Sequence, residues 1–137
     1  MAGEAQIRSA PAVVIMLDTH IAVALYDGRT AGLGNKALRA IDRQPVVVSP
    51  AVLLELELLH EIGRLRAGAA AIAKDLEAQL AIRIAGERFR DVALEALALG
   101  FTRDPFDRLI VAHAALLKAP LVTHDVLLAQ HYPAVLQ

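Results

Sequence analysis

No cysteine and no tryptophan occur in the 137 residues of this chain. Without thiols there is no disulfide scaffold, no cysteine zinc site, no iron–sulfur cluster and no thiol nucleophile. The absence also fits a reducing compartment. Aromatics are scarce: two Tyr and three Phe make up 4% of the chain, a poor basis for a base-stacking platform. An excess of either charge is lacking too. Fourteen Lys and Arg against fifteen Asp and Glu leave a net charge of −1. That argues against a broad electrostatic grip on duplex DNA but allows a local basic rim around an acidic pocket. Apolar runs such as Ala12 to Leu17 fall far below the ~20 residues of a membrane-spanning helix. The opening MAGEAQIRSAP lacks the apolar core of a signal peptide, so a cytoplasmic protein with a flexible polar tail over residues 1–11 is expected. Gly32-Leu33-Gly34 has neither the spacing nor the following Lys-Ser/Thr of a phosphate loop.

What remains is apolar and helix-prone. Hydrophobic residues are 56% and charged residues 21% of the chain, which excludes intrinsic disorder. The length allows one domain, expected over residues 12–137, with a core large enough to need no metal or disulfide merely to fold. Val13 to Leu17 and Val46-Val47-Val48 read as strands apolar on both faces. Short strands are also expected over Leu80 to Ala85, at Pro120 to Thr123 and at Pro133 to Leu136. Between them lie helices at Thr19–Tyr26, Asn35–Asp42, Ser49-Pro50 to Arg66, Gly68 to Gln79, Gly86 to Leu99, Asp104-Pro105 to Lys118, and Asp125 to His131. Ser49-Pro50 and Asp104-Pro105 pair a capping side chain with a proline at the first helical position. Strands alternating with helices imply a helix-rich α/β fold, three layers (α/β/α) around a small parallel sheet.

Four carboxylates stand in awkward places on this plan. Asp18 follows the first strand and Asp125 follows Leu121-Val122-Thr123, at the sheet edge where α/β folds bind ligands. Each is also placed to cap the helix after it. Glu55 is harder to explain by capping. At ~100° per residue Ala51, Val52, Leu58, Leu59 and Ile62 fall within about 60° of it, with Glu57, His60 and Arg64 opposite. An unpaired carboxylate on an apolar stripe is costly, and no Lys or Arg has an evident claim to that face. Asp107 shares the side of Ile110, Val111, Ala114 and Leu117, and at N3 behind Asp104 it also fits a capping box. Asp104 itself reads first as a cap, with a supporting place at the site as the alternative. Four acids converging on one edge call for a cation, and oxygen ligands without Cys or paired His favour Mg²⁺ or Mn²⁺. The five histidines show no ligand spacing, although His20 and His124 flank the acids.

Val14 to Thr19, Ser49-Pro50 with Glu55, the run Asp104-Pro105-Phe106-Asp107-Arg108-Leu109-Ile110, and Leu121-Val122-Thr123-His124-Asp125 together resemble the PIN domain. More narrowly they are similar to the VapC-type toxins of bacterial toxin–antitoxin pairs. The likeness runs from about residue 12 to the end, and its most specific parts are the D-P-F-D-R-L-I and T-x-D segments. It implies a Mg²⁺- or Mn²⁺-dependent endoribonuclease, homodimeric and inhibited by a cognate antitoxin. The family's acids carry over to Asp18, Glu55, Asp107 and Asp125 as catalytic and metal-binding residues, with Thr19 and Thr123 as hydroxyls beside them. The chain lacks the closing Trp common in such proteins, which puts its last strand in doubt.

The reaction expected is hydrolysis of an RNA phosphodiester by a metal-activated water, with unpaired RNA as substrate. Arg83, Arg88, Arg90, Arg103 and Arg108 are the possible phosphate contacts. A phosphoryl-transfer enzyme using Asp18 as nucleophile would want a second acid near the first strand and a Lys after a late one, and neither is evident. A non-catalytic module of the same fold would be marked by a missing acid, and all four are present. Leu53, Leu54 and Leu56 lie on the flanks and outer side of the same helix, Leu53 about 160° from Glu55. They are expected to be covered either by a partner, the second copy of a homodimer or an antitoxin helix, or by neighbouring helices of the same chain such as Ala70 to Gln79.

Overall fold

The structure is a computed structural model that describes residues 13–137, so the expected tail over 1–11 lies outside the described residues. Among these, five strands and seven helices alternate. β1 (Ile15–Leu17), β2 (Val46–Val48), β3 (Arg83–Ile84), β4 (Leu121–Val122) and β5 (Val135–Leu136) form one parallel sheet in the order β3-β2-β1-β4-β5. Met16 stands between Val47 and Leu121 in register, and Leu17 lies beside Val122. All three β1 residues are buried. A parallel strand buried on both faces needs helices above and below it, as the alternation of elements implies. The chain steps outward from β1 to β2 and β3, then returns to the other side of β1 with β4. The carboxyl ends of β1 and β4 therefore flank the switch point, where open α/β sheets bind ligands.

The helices are α1 (Thr19–Tyr26), α2 (Asn35–Arg43), α3 (Pro50–Glu61), α4 (Ala69–Leu80), α5 (Phe89–Ala96), α6 (Pro105–Leu117) and α7 (Val126–His131). Met16, Leu17, Val52, Ile72, Ile110, Leu121 and Leu128 are fully enclosed at the centre of the core. Val92, Ala96 and Ala112 make a smaller cluster that seats α5 on α6. β5 forms without the missing Trp. It pairs with β4, and the backbone of Gln137 comes so close to Gly34 that a Cβ there would lie 2.5 Å from the Gln137 carbonyl oxygen.

Several boundaries differ from expectation for local reasons. α3 stops at Glu61 rather than near Arg66, because Gly63 turns left-handed (φ 82°) and the Arg64 N–H closes on the Leu59 carbonyl. The third strand shrinks to two residues because Leu80 still belongs to α4. α5 begins only after Arg88 and ends at Ala96. Ala81 and Lys118 also end helices in the left-handed region, at φ 55° and 52°, without being glycine. Ala81 is exposed and loses no packing on substitution. Ala81→Gly is therefore expected to stabilise the fold by about 1 kcal/mol, read as a higher urea midpoint at unchanged slope.

The largest correction concerns the face that α3 buries. Val52 and Leu56 point into the core and Leu53 packs partly against it, whereas Leu54, Leu58 and Ile62 are exposed. Leu53 is thus covered by its own chain and is not a free partner surface. Glu57 and His60, on the side opposite Glu55, are half-buried. Glu57 Oε1 accepts the Ala69 N–H at 2.9 Å, capping α4, and His60 Nδ1 meets the Leu65 carbonyl. A helix apolar almost all round carries no decisive periodicity. Its rotation is set by these polar ties to the connection that follows.

Candidate active site

Asp18 ends β1, with its N–H donating to the Val122 carbonyl across the sheet. Its carboxylate is nearly buried and both oxygens are engaged. Oδ1 accepts the Thr19 N–H at 2.7 Å, capping α1, and Oδ2 accepts the Thr123 hydroxyl at 2.6 Å. The Thr123 oxygen in turn accepts the Asp125 N–H at 3.0 Å. One buried hydroxyl therefore joins the first acid to the backbone of the last. Asp125 caps α7 through Oδ1, on the Leu128 N–H at 3.1 Å, and its side chain is otherwise exposed. Capping and convergence coexist here because each uses different atoms.

Glu55 lies on the flank of the buried stripe of α3 and is half-buried. Oε1 accepts the Thr19 hydroxyl, so consecutive residues tie Asp18 and Glu55 together. Burial raises the Glu55 carboxyl above its usual range. The Thr19 hydroxyl lowers it, Asp18 and Asp104 push it up, and His20 draws it down. Asp107 sits in the first turn of α6. The capping box expected for it needs its carboxylate on the Asp104 N–H, but Thr102 Oγ1 takes that proton at 3.1 Å. Asp104 caps the helix alone, its Oδ1 accepting from Phe106 and, more weakly, Asp107. Burial first, and then Asp104, Asp18, Asp125 and Glu55, push the Asp107 carboxyl up to about 7. Asp104, read from sequence chiefly as a cap, thus also belongs to the same acidic field.

Other side chains depart from expectation. Arg108 is committed to the fold: its Nη2 donates to the carbonyls of Ala96 and Leu97, at 3.0 and 3.4 Å, closing the end of α5. Arg103 likewise holds the Gly100 carbonyl. Arg83, Arg88 and Arg90 are exposed. His20 and His124 are exposed beside the acids. His113, passed over in the sequence, is fully buried. Its Nε2 pairs with Glu87 Oε1 at 2.8 Å, and its Nδ1 faces Ser49 Oγ at 3.3 Å. The signal was present, since His113 lies three residues after Ile110 on the core side of α6.

Could these residues hold a metal ion? Among the described residues no three carboxylate or imidazole groups close around one point. Repulsion of the kind that lifts Asp107 opposes such an approach. The donor chemistry nevertheless fits a hard divalent cation, because the converging groups are carboxylates steadied by threonine hydroxyls, with no sulfur among them.

The sequence profile of the PIN domain family matches residues 15–132. No curated protein sequence matches the chain. Among solved structures it is similar to VapBC2 from Rickettsia felis bound to a promoter DNA fragment, at 20% identity over 90% of this chain and 96% of that one, TM-score 0.61. VapBC-1 from nontypeable Haemophilus influenzae is 18% identical over 90% and 95%, with TM-score 0.63. Mycobacterium tuberculosis VapC20, a toxin that cleaves the sarcin–ricin loop, is 22% identical over 90% and 99%, with TM-score 0.58. At these identities the likeness is one of fold.

Proposed function

Given that the chain belongs to the PIN domain family, we propose that it is a divalent-metal-dependent endoribonuclease and the toxin of a toxin–antitoxin pair. The observation that carries this reading is the set of acids fastened at the switch point of the sheet, Asp18 to Asp125 through Thr123 and Asp18 to Glu55 through Thr19. Asp18, Glu55, Asp107 and Asp125 would hold Mg²⁺ or Mn²⁺. When bound, such an ion neutralises a scissile phosphate and makes an attacking water more acidic. The Thr123 hydroxyl fixes the Asp18 carboxylate plane, leaving it placed to orient that water, and the Thr19 hydroxyl does the same for Glu55. Unpaired RNA is the substrate such a small, open edge accommodates.

The test is cleavage of single-stranded and hairpin RNA by purified protein, with Mn²⁺ or with EDTA, read on a denaturing gel. Fragments are expected only with the ion, and Asp18→Asn is expected to give none while remaining folded. RNA left intact by the wild type in Mn²⁺ would remove the reading.

Of the three leucines considered for a partner, Leu53 and Leu56 pack inward and Leu54 stays exposed, so the partner surface is the outer side of α3. Leu54, Leu58 and Ile62 recur at helical spacing and are exposed, and Phe89 is 70% exposed across an apolar cleft of about 290 Å³ between α3, α5 and α6. Apolar surface of this kind marks an interface, here for an antitoxin helix or a second copy of the chain in a homodimer. Leu58→Glu is expected to abolish antitoxin binding or dimerisation, seen by light scattering, without lowering the melting temperature. A variant that keeps both would clear this face.

A further inference from the structure

Beside the acids, on the α1 side, lies a second concavity that the proposed chemistry leaves unused. It holds about 770 Å³ and is lined by His20, Arg29, Gly32 and His124, with Ile21 and Ala24 as its floor. The segments Asp18-Thr19-His20 and Thr123-His124-Asp125 connect it directly to the acidic edge. Each places a histidine one residue from a hydroxyl that holds an acid. Both rings are exposed. His124 is backed by the loop after α1, where a Cβ on Gly32 would lie 3.6 Å from its Cε1. On the far wall Gly28 turns left-handed, and Arg29 is held by Asp27 at 2.9 Å.

An RNA strand bound at the acids must continue past them. It needs surfaces that grip a base without adding negative charge, and unpaired bases are held by stacking on aromatic or imidazole rings and by hydrogen bonds to their edges. With no Trp and five Phe and Tyr in the whole chain, the two imidazoles supply the rings at this concavity, and Arg29 supplies a donor for phosphate. We propose that the basin between α1 and the loop after it is a nucleotide subsite. In it His20 and His124 hold the unpaired base next to the scissile phosphate and so set which sequence is cut. This rests on the ribonuclease reading and deepens it.

The experiment measures RNA binding separately from cleavage. A short fluorescein-labelled single-stranded RNA of mixed sequence is titrated with Asp107→Asn protein in Mn²⁺, and anisotropy gives the dissociation constant. His20→Ala and His124→Ala in that background are each expected to weaken binding roughly tenfold, the usual order for a lost base–ring contact. Gly32→Leu, which fills the basin and leaves both imidazoles in place, is expected to do the same at an unchanged melting temperature. Calorimetric Mn²⁺ binding by the same single variants of the wild type is expected to be unaltered. Undiminished RNA binding in all three variants overturns the subsite. Parallel loss of Mn²⁺ binding overturns it as well, because the histidines would then serve the ion. If the parent protein neither holds this RNA nor, as wild type, cleaves it, the ribonuclease reading itself has failed.

Discussion

Replacing Asp107 by Asn is expected to abolish RNA cleavage, by at least about a hundredfold, since even outer partners of metal ligands are worth that much, while leaving the protein as stable as before or more so. The stability half follows from charge. Burial and the four surrounding acids hold the Asp107 carboxyl at about 7 in the folded chain, against about 4 when unfolded. Between those values the folded state binds more protons than the unfolded one, so stability falls as pH rises. The stabilising contribution is complete below pH about 4 and lost as pH passes through about 7. Melting temperatures of the metal-free wild type should decline across this window, and those of Asp107→Asn should decline less. The two should meet at the acid end, where both side chains are neutral. Saturating Mn²⁺ should restore the wild type at neutral pH. A variant that unfolds at every pH would mean that Asp107 serves the first turn of α6 after all.

His113→Ala is expected to cause the largest loss of stability, about 2–4 kcal/mol from the cavity together with the broken hydrogen bonds. The side chain is fully enclosed and spans from Ser49, which caps α3, to Glu87, which precedes α5. Its removal should loosen both helices from α6. Because Glu87 remains partly in water, it can resolvate, and the cost falls mainly on packing. Gln at this position offers an amide in place of the ring and should recover part of the loss. Chemical denaturation of the three proteins measures the series, and a silent Ala variant would show that the two contacts hold nothing in place.

Strands, caps and prolines were legible because their causes are local. Ser49-Pro50 and Asp104-Pro105 start helices at the expected residues, and the valine run at 46–48 is a strand end to end. Asp18 and Asp125 were legible as edge residues, since a buried strand followed by Asp announces its own position. The face of α3 was not. Val52, Leu53, Leu54, Leu56, Leu58 and Leu59 leave periodicity nothing to choose between, and the choice falls to Glu57 meeting Ala69 twelve residues later. Arg108 escaped for a similar reason: its partners are the ends of a helix whose position depends on the whole packing of α5 against α6. For Asp104 the cap was legible and a share in the site was only an alternative, because a carboxylate that caps also projects its charge onto neighbours that only the packing brings near.

The hydrogen bond from Thr123 to Asp18 spans 105 residues of chain. The strand that leads into Asp18 emerges from a ribosome well before its neighbour β4. Contacts so distant in sequence form late, after costly loop closure. A growing chain therefore carries Asp18 through 105 further residues of synthesis before the hydroxyl that aligns it is added. If the protein is a toxin, its site is completed only when β4 docks, and the interval before that is time in which an antitoxin can already be waiting.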